Sequence, residues 1–445
     1  MKNYLKHITL TLAMLLTFQV KSQESWDLKK CINYAIENNL EHHILLLDEE
    51  TAKINALESK MNLLPSVSAG SEFTNSFGRS INESNDVIYS ESFQIKPGVS
   101  SNLVLFNGFK QLNRISYFNY RKQASYWNTL KSQDDLAFSV MMAYYDIIYY
   151  RGLVTIAEEQ LELSAYNLKK AEAEINIGTK SQADLSEIQA NYELEKLTLV
   201  QAKNSLIEAE IKLNEFLNIP FDKLVQAEYD SNKFILEAAV SNNNDSTVYN
   251  FINEAPDLKS AEYELETAKK NLKIQRGSYL PSLELFAGIG SEIYATSIDS
   301  LNRRVIRDQF NGNMSKRVGL SLSIPIFQRY TNMANVQRAK INIENAQTTY
   351  DYKKLQLQYQ LKNDIQKWNA LEAEFNQLTK QVEANQLAYK AASRKYEEGL
   401  MSIIEMLTVK SRLATSQSQL LQTRLQWEIQ YKLMEFYKGT RFWEN

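Results

Sequence analysis

The sequence has 445 residues, a formal net charge of −3 at pH 7, and 44% hydrophobic residues. This length is enough for a large core or several domains, and the absence of a basic stripe argues against a nucleic-acid partner. The single cysteine, Cys31, cannot form an intrachain disulfide, and the adjacent His42 and His43 lack the spaced partners of a zinc site or catalytic triad. We therefore predict no enzyme active site, no metal and no cofactor.

The first 22 residues have the features of a signal peptide. Lys2 and Lys6 precede an apolar run from Ile8 to Phe18, and Val20 and Ser22 occupy the small-residue positions of a cleavage site. The run is shorter than the roughly 20 residues that a membrane-spanning helix needs. We predict that the chain is exported and, because no cysteine follows the cleavage site directly, that it is not lipidated at its N-terminus.

Glycine and proline are concentrated in two windows. Of the 13 glycines and 6 prolines, six lie between Pro65 and Gly108 and seven between Gly277 and Pro325. These residues are disfavoured in helix interiors by about 1 and 3 kcal/mol relative to alanine, so the remaining stretches favour long helices. We predict long helices at about 110–176, interrupted only by Gly152, and at 331–398, with return helices at 183–218 and 402–438.

Apolar residues in the long stretches recur at steps of three, four or seven. This spacing is typical of a coiled-coil seam. A helix of nearly 70 residues is about 100 Å long at 1.5 Å per residue. A helix hairpin of this length cannot bury its apolar stripes alone, so we expect lateral packing with other copies.

The two windows contain alternating strands. The second one ends with Val318 to Phe327, in which every second residue from Val318 to Ile326 is apolar. We predict strand pairs at about 66–106 and 282–327, with strands of roughly ten residues, long enough to cross a bilayer when tilted. The polar segments 78–91 and 294–316 would be loops. From the strands alone, a soluble β-sandwich or hairpins packed on helices remain alternatives.

The order of these parts repeats at a constant offset, which indicates an internal duplication. Phe106 and Phe327 are 221 residues apart, and so are Gly178 and Gly399. Four strands cannot close a barrel, because about eight are needed and no strand edge can be left unpaired in lipid. If the strands cross a membrane, several chains must contribute to one barrel, and three copies would supply twelve strands.

The arrangement resembles the TolC family of outer-membrane efflux proteins. The resemblance rests on "LPSV" and "LPSL" before the first strand of each half, "LFNGF" and "IPIFQ" between strand and helix, and "IGTKSQADL" and "EGLMSIIEML" at the helical turns. It implies a mainly α fold with a small transmembrane β part. In that family a homotrimer forms a twelve-stranded outer-membrane barrel continuous with a twelve-helix periplasmic tunnel. The repeats would span 23–220 and 248–438, with an equatorial segment at 219–247 and a C-terminal tail at 439–445.

The resemblance also implies a function and partners. The chain would be the exit duct of a tripartite efflux or type I secretion system, with a periplasmic adaptor, an inner-membrane pump and outer-membrane lipid as partners. In the family the pump selects the cargo. The alternative is a periplasmic coiled-coil adaptor or structural protein, which would explain the helices but not the four strands.

Individual site residues follow from the same resemblance. The periplasmic tips that meet the adaptor would be formed by Ile177, Gly178, Thr179, Glu398, Gly399 and Leu400. The family's acidic constriction falls on Glu405 and Thr408, with Asp184 at the corresponding place after Gly178. Thr408 is not acidic, so this chain departs from the family pattern, and Glu405 as an ordinary surface charge remains the alternative. If a ring forms, like charges should raise some carboxylate pKa values.

The last set of predicted site residues faces lipid. It consists of the alternate apolar positions of the second strand pair, with Ser321 and Ser323 facing the lumen. The lipid-facing residues would be Val318, Leu320, Leu322, Ile324 and Ile326.

Overall fold

The computed structural model describes residues 25–81, 84–176, 181–220, 225–229, 251–295 and 303–444. The predicted signal peptide at 1–22, the tip residues Ile177, Gly178 and Thr179, and most of the segment 219–247 lie outside these ranges. The chain divides into two compact units. The first comprises Met1–Leu45, Thr129–Ala255 and Leu355–Asn445, and the second comprises Leu46–Asn128 and Pro256–Lys354.

Helices make up most of the described chain. They are α1 (Leu28–Asn38), α2 (Leu40–Met61), α3 (Lys110–Asn176), α4 (Gln182–Leu217), α5 (Pro256–Gly277), α6 (Arg303–Gly312), α7 (Thr331–Glu397) and α8 (Ile403–Tyr437). Within the residues that the structure describes, no helix has a stretch apolar enough to span a membrane. Both α3 and α7 have 67 residues, and the helices that follow them, α4 and α8, have 36 and 35.

The strands form two sheets. They are β1 (Ser25–Trp26), β2 (Ser66–Ile81), β3 (Val87–Asn107), β4 (Gln226–Ala227), β5 (Ser282–Gly290), β6 (Ile293–Ala295) and β7 (Ser315–Ser323). In the first unit β1 pairs in parallel with β4. In the second unit an antiparallel sheet has the order β2-β3-β5-β7, and β6 pairs with β3 beyond the end of β5.

One face of the larger sheet is apolar across all four main strands. Leu320 lies opposite Leu285, which lies opposite Leu103, and directly opposed residues share a face. The other face carries polar side chains such as Ser321 and Glu284, which also oppose each other. We call the first of these the apolar face, on which Ser101 and Lys316 also lie; its apolar residues are Val67 and Ala69 on β2, Val99 and Leu103 on β3, Leu283, Leu285, Ala287 and Ile289 on β5, and Val318, Leu320 and Leu322 on β7.

The strands differ from the predicted ones in length. β2 has 16 residues and β3 has 21, and together they occupy much of the predicted loop at 78–91. β7 ends at Ser323, so Ile324 and Ile326 lie beyond the strand to which they were assigned. Pro325 explains this end, because proline has no N–H to contribute to the ladder.

Two local features were not predicted. The register between β3 and β5 shifts between Val104 and Phe106, so that Phe106 pairs with Leu283. The regular alternation of side chains between the two faces of β3 is therefore interrupted at Leu105. A β-bulge of this kind adds one residue to one strand. The predicted loop at 294–316 contains helix α6, which the sequence analysis did not predict.

Two glycines meet where strands and helices join in the second unit. Gly108 precedes α3 with φ +68°, and a Cβ built on it would lie 2.2 Å from the carbonyl oxygen of Gly277. A Cβ on Gly277, the last residue of α5, would lie 2.5 Å from the carbonyl oxygen of Gly108. Only glycine allows the two backbones to approach this closely.

We expect Gly277→Ala to destabilise this junction by at least about 2 kcal/mol, because the backbone itself must move to admit the methyl group. Gly70→Ala on β2 is the matched control, since a Cβ there meets nothing within 4 Å. Thermal unfolding of the purified protein measures both. Equal melting temperatures for the two variants would show that the junction tolerates displacement.

The residues after α8 are packed rather than extended. Trp443 is 1% exposed and lies against the rings of Phe442, Phe436 and Phe138, with centroids at 4.7, 5.9 and 6.2 Å. Arg441 forms an ion pair with the buried Asp134, with 3.2 Å between its Nη2 and the Asp134 Oδ1. The segment predicted as a tail at 439–445 therefore contributes to the core of the first unit.

Candidate functional site

The end of α7 is built by the sequence Glu398-Gly399-Leu400. Gly399 adopts φ +73° and donates its N–H to Tyr396, and the N–H of Leu400 reaches the carbonyl of Lys395 at 2.8 Å. This pair of bonds is the Schellman motif, which satisfies the last carbonyls of a helix. The side chain of Leu400 is left 73% exposed. The structure thus places three predicted tip residues in a tight turn.

The helices that follow the two predicted tips, α8 and α4, begin in the same way. Ser402 precedes α8, and its hydroxyl accepts from the N–H of Glu405, while the Glu405 carboxylate accepts from the N–H of Ser402 over 3.0 Å. Ser181 and Asp184 make the corresponding bonds at the start of α4. These are capping boxes. Glu405 and Asp184 therefore both have a local structural role that the sequence analysis did not assign.

A small apolar core lies behind these capped ends. It joins the end of α3, the start of α4, the end of α7 and the start of α8, all within the first unit. Lys170 on α3 also approaches Glu397 on α7 over 3.7 Å. The buried members of this hairpin-end core are Ala171, Ile188, Ala392, Ile403 and Met406.

The predicted constriction residues lie away from this core. Glu405 and Thr408 are exposed on α8, and Asp184 is half-buried on α4. The Thr408 hydroxyl donates to the carbonyl of Ile404 in its own helix over 2.8 Å. Ile404 is itself 61% exposed. The first two turns of α8 thus present a carboxylate, a hydroxyl and an apolar side chain to their surroundings.

The electrostatics of Glu405 reflect its cap. The backbone N–H and the hydroxyl of Ser402 both donate to its carboxylate and hold the pKa of Glu405 below its ordinary value. In the single chain the pKa of Glu405 is thus lowered, whereas a ring of like charges is expected to raise it. Glu405 is a stable anion at neutral pH, which is the form that attracts cations.

A buried lysine, Lys410, lies five residues after Glu405 on α8. Lys410 is 2% exposed, and its ammonium donates to the carbonyl of Gln160 at 2.9 Å, the hydroxyl of Ser164 at 2.6 Å and the carboxylate of Glu195 at 3.1 Å. Asn191 donates to the same Ser164 hydroxyl. Burial lowers the pKa of Lys410. All three N–H groups of the ammonium have an acceptor, as a buried charge requires.

This Lys410 network was missed in the sequence, although one signal was present. Ile403, Met406, Lys410 and Leu413 recur at helical spacing and are all buried. A lysine at such a position interrupts an otherwise apolar seam, and a buried lysine needs acceptors from neighbouring helices. The network connects α8 with both α3 and α4.

Comparisons with known proteins give a family that matches most of the chain and several relatives. Residues 35–218 and 247–437 match the model of a family described as outer membrane efflux protein. The chain is 24% identical over 406 residues to the probable efflux pump outer membrane protein TtgC of Pseudomonas putida, covering 89% of this chain and 80% of that one. It is 22% identical over 392 residues to the outer membrane protein TolC of Escherichia coli, covering 85% and 74%.

Solved structures show the same fold. CusC superposes with a TM-score of 0.77 at 18% identity, covering 95% of this chain and 96% of that one. The outer membrane protein VceC of Vibrio cholerae superposes with a TM-score of 0.77 at 15% identity, covering 93% and 96%. The helices and the sheet described above are thus all part of one known architecture.

Proposed function

Because the chain belongs to the TolC-like outer membrane efflux protein family, we propose that it is the exit duct of a tripartite efflux or type I secretion system. In this proposal it passes substrates from an inner-membrane pump and a periplasmic adaptor across the periplasm and the outer membrane. Three chains each contribute four strands to a twelve-stranded barrel and four long helices to a twelve-helix tunnel. The mature chain lies in the outer membrane and extends into the periplasm, without an N-terminal lipid.

The observation that carries the proposal is the exposed apolar face. Val318, Leu320 and Leu322 are 74%, 63% and 62% exposed in the single chain. A soluble sheet would bury such a row against its own core, whereas a sheet in lipid presents it outward. β3 and β7 lead within a few residues into the two longest helices, α3 and α7. This direct continuation supports a single tube made of pore and tunnel.

Reconstitution tests the proposal directly. Protein purified from the outer-membrane fraction should be a trimer and should give discrete conductance steps in planar lipid bilayers. A monomer that remains in the periplasmic fraction and does not conduct would refute the duct and favour the adaptor or structural alternative.

We further propose that the tips dock the adaptor, with Gly399 allowing close approach of its helices. A Cβ on Gly399 meets nothing within 4 Å in the chain, and asparagine tolerates a positive φ. Gly399→Asn should therefore leave a folded trimer but weaken adaptor binding roughly 5- to 150-fold, the effect of about 1 to 3 kcal/mol of overpacking.

The matched control for this tip variant is Gly439→Asn. Gly439 also has a positive φ, +93°, and open space around its Cα. Export assays and adaptor pull-down with both variants separate contact at the tip from backbone strain. Normal adaptor binding by Gly399→Asn would refute docking through this glycine.

The constriction is proposed to be formed by Glu405, with Asp184 contributing and Thr408 neutral. Glu405→Gln is the informative change, because glutamine preserves a capping box but removes the charge. We expect this variant to lose cation selectivity and block by multivalent cations in planar bilayers, while its thermal stability stays unchanged.

Ser402→Ala is the complementary control for the constriction. It removes the cap, at about 1 kcal/mol, but keeps the Glu405 carboxylate. Selectivity should therefore persist in this variant. If Glu405→Gln conducts with unchanged selectivity and block, Glu405 belongs to the solvated surface of α8.

A further inference from the structure

Helix α6 carries a dense positive charge at one end of the larger sheet. Arg303, Arg304 and Arg307 lie within five residues, and all three are exposed. Arg304 forms an ion pair with Asp308 over 3.9 Å, with both side chains mostly in solvent at 92% and 70% exposure. Within α6 itself, three guanidinium groups against one carboxylate give a net positive charge.

The helix is held in place by specific bonds to the sheet. The side-chain amide of Gln309 accepts from the N–H of Tyr294 at 2.6 Å and donates to its carbonyl at 2.8 Å, as a neighbouring strand would. Asn313 donates to the carbonyl of Glu292 at 2.6 Å. These contacts pair the edge of β6 and fix the orientation of α6.

Helical geometry separates two kinds of side chain on α6. At 100° per residue, Val305, Ile306, Gln309 and Phe310 fall on one side and the three arginines on the other. Ile306 and Phe310 are nonetheless 36% and 39% exposed. Exposed apolar side chains beside a basic side are the composition of a helix that lies in a membrane interface.

The position of α6 in the chain also fits a helix at a membrane surface. β7 begins at Ser315, directly after α6, and its other end leads to α7. Lys316 lies opposite Ile289 and so shares the apolar face with Val318 and Leu320. A basic side chain thus stands at the edge of the exposed apolar row, where a lysine can extend its ammonium to the membrane surface.

We infer that the basic side of α6, together with Lys316, binds phosphate-bearing lipid headgroups at the outer surface of the outer membrane. This inference rests on the proposed function, which places the helix-distal end of the sheet at that surface. The guanidinium fork forms paired hydrogen bonds with phosphate oxygens, and the exposed Ile306 and Phe310 contact the adjoining acyl region.

Lipid binding by the full-length, detergent-purified protein tests the inference. The probe is lipid A with two phosphates, and phosphatidylethanolamine is the comparison lipid. The test variant is Arg303→Gln/Arg304→Gln/Arg307→Gln. We expect its affinity for lipid A to be at least about tenfold lower than that of the unaltered protein, because each basic residue at an anionic surface contributes roughly fivefold. Binding by the unaltered protein should weaken as salt is raised.

The matched control is Lys196→Gln/Lys203→Gln/Lys212→Gln on α4. It removes the same charge from side chains that are 57%, 51% and 55% exposed, and it should bind lipid A normally. Equal affinity of the α6 variant and the unaltered protein would overturn the inference, as would an equal loss in the α4 control. Displacement of lipid A by millimolar inorganic phosphate would show a simple anion site instead.

Failure of the inference is distinguishable from failure of the proposed function. Trimer formation and conductance are measured on the same preparations. A conducting trimer whose lipid A binding does not depend on α6 overturns only the inference that α6 binds lipid headgroups. A protein that neither reaches the outer membrane nor conducts overturns the duct itself.

Discussion

Replacing Leu320 by arginine is expected to remove most of the protein from the outer membrane. Leu320 is central in β7, 63% exposed, and opposite Leu285 on the apolar face. In the proposed barrel its side chain contacts lipid, where arginine near the bilayer midplane costs about 2 to 4 kcal/mol. In the proposed barrel three chains would contribute, so each assembly would carry this penalty three times. Quantifying trimer in outer-membrane fractions measures the effect.

Ser321→Arg provides the control within the same strand. Ser321 is the next residue, lies on the opposite face, and pairs directly with Glu284. In the proposed barrel an arginine there would face the lumen and could pair with that carboxylate across the strands. We expect near-normal assembly. Equal defects in the two variants would mean that the apolar face does not contact lipid.

The second large effect is a loss of stability, which is expected when the buried Lys410 is replaced. Lys410→Met keeps the length of the side chain but removes the ammonium, leaving the Glu195 carboxylate and the Ser164 hydroxyl without this donor. Removing one partner of a buried ion pair destabilises by about 3 to 5 kcal/mol. Because the Glu195 side chain is 19% exposed and can gain some water, we expect a value near the lower end, about 3 kcal/mol, in denaturant or thermal unfolding.

Two further variants make the Lys410 test specific. Lys203→Met breaks an ion pair with Glu158 whose side chains are 51% and 52% exposed, and should lose less than about 1 kcal/mol. Adding Glu195→Gln to Lys410→Met removes the unpaired charge and should restore much of the stability. If Lys410→Met unfolds like the unaltered protein, the network contributes no net stability.

The long helices could be predicted from the sequence because residues at their ends determine where they begin and stop. Glycine ends α7 in a left-handed turn at Gly399, and Ser402 opens α8 with a cap. The stretch between Thr331 and Glu397 contains neither glycine nor proline. Each of these signals acts within a few residues, so a single sequence reveals it.

Features that depend on distant partners were not accessible in the same way. The burial of Lys410 depends on Gln160 and Ser164, about 250 positions earlier in the chain. Helix α6 has too few apolar residues to stand out, and its stability comes from bonds to the strand at Tyr294. The end of β7 at Ser323, by contrast, is a local feature, because Pro325 has no N–H to contribute to the ladder.

The Lys410 network also limits how alike the two halves of the chain can be. At the 221-residue offset, Lys410 corresponds to Gln189, which is exposed, and Glu195 corresponds to Ser416, which is buried. A chain carrying the second half twice would bury two lysines, each facing a serine where this protein has a carboxylate. A chain carrying the first half twice would retain the glutamates but lack the ammonium groups. The halves have therefore become non-interchangeable, and their covalent linkage guarantees that every copy receives one of each.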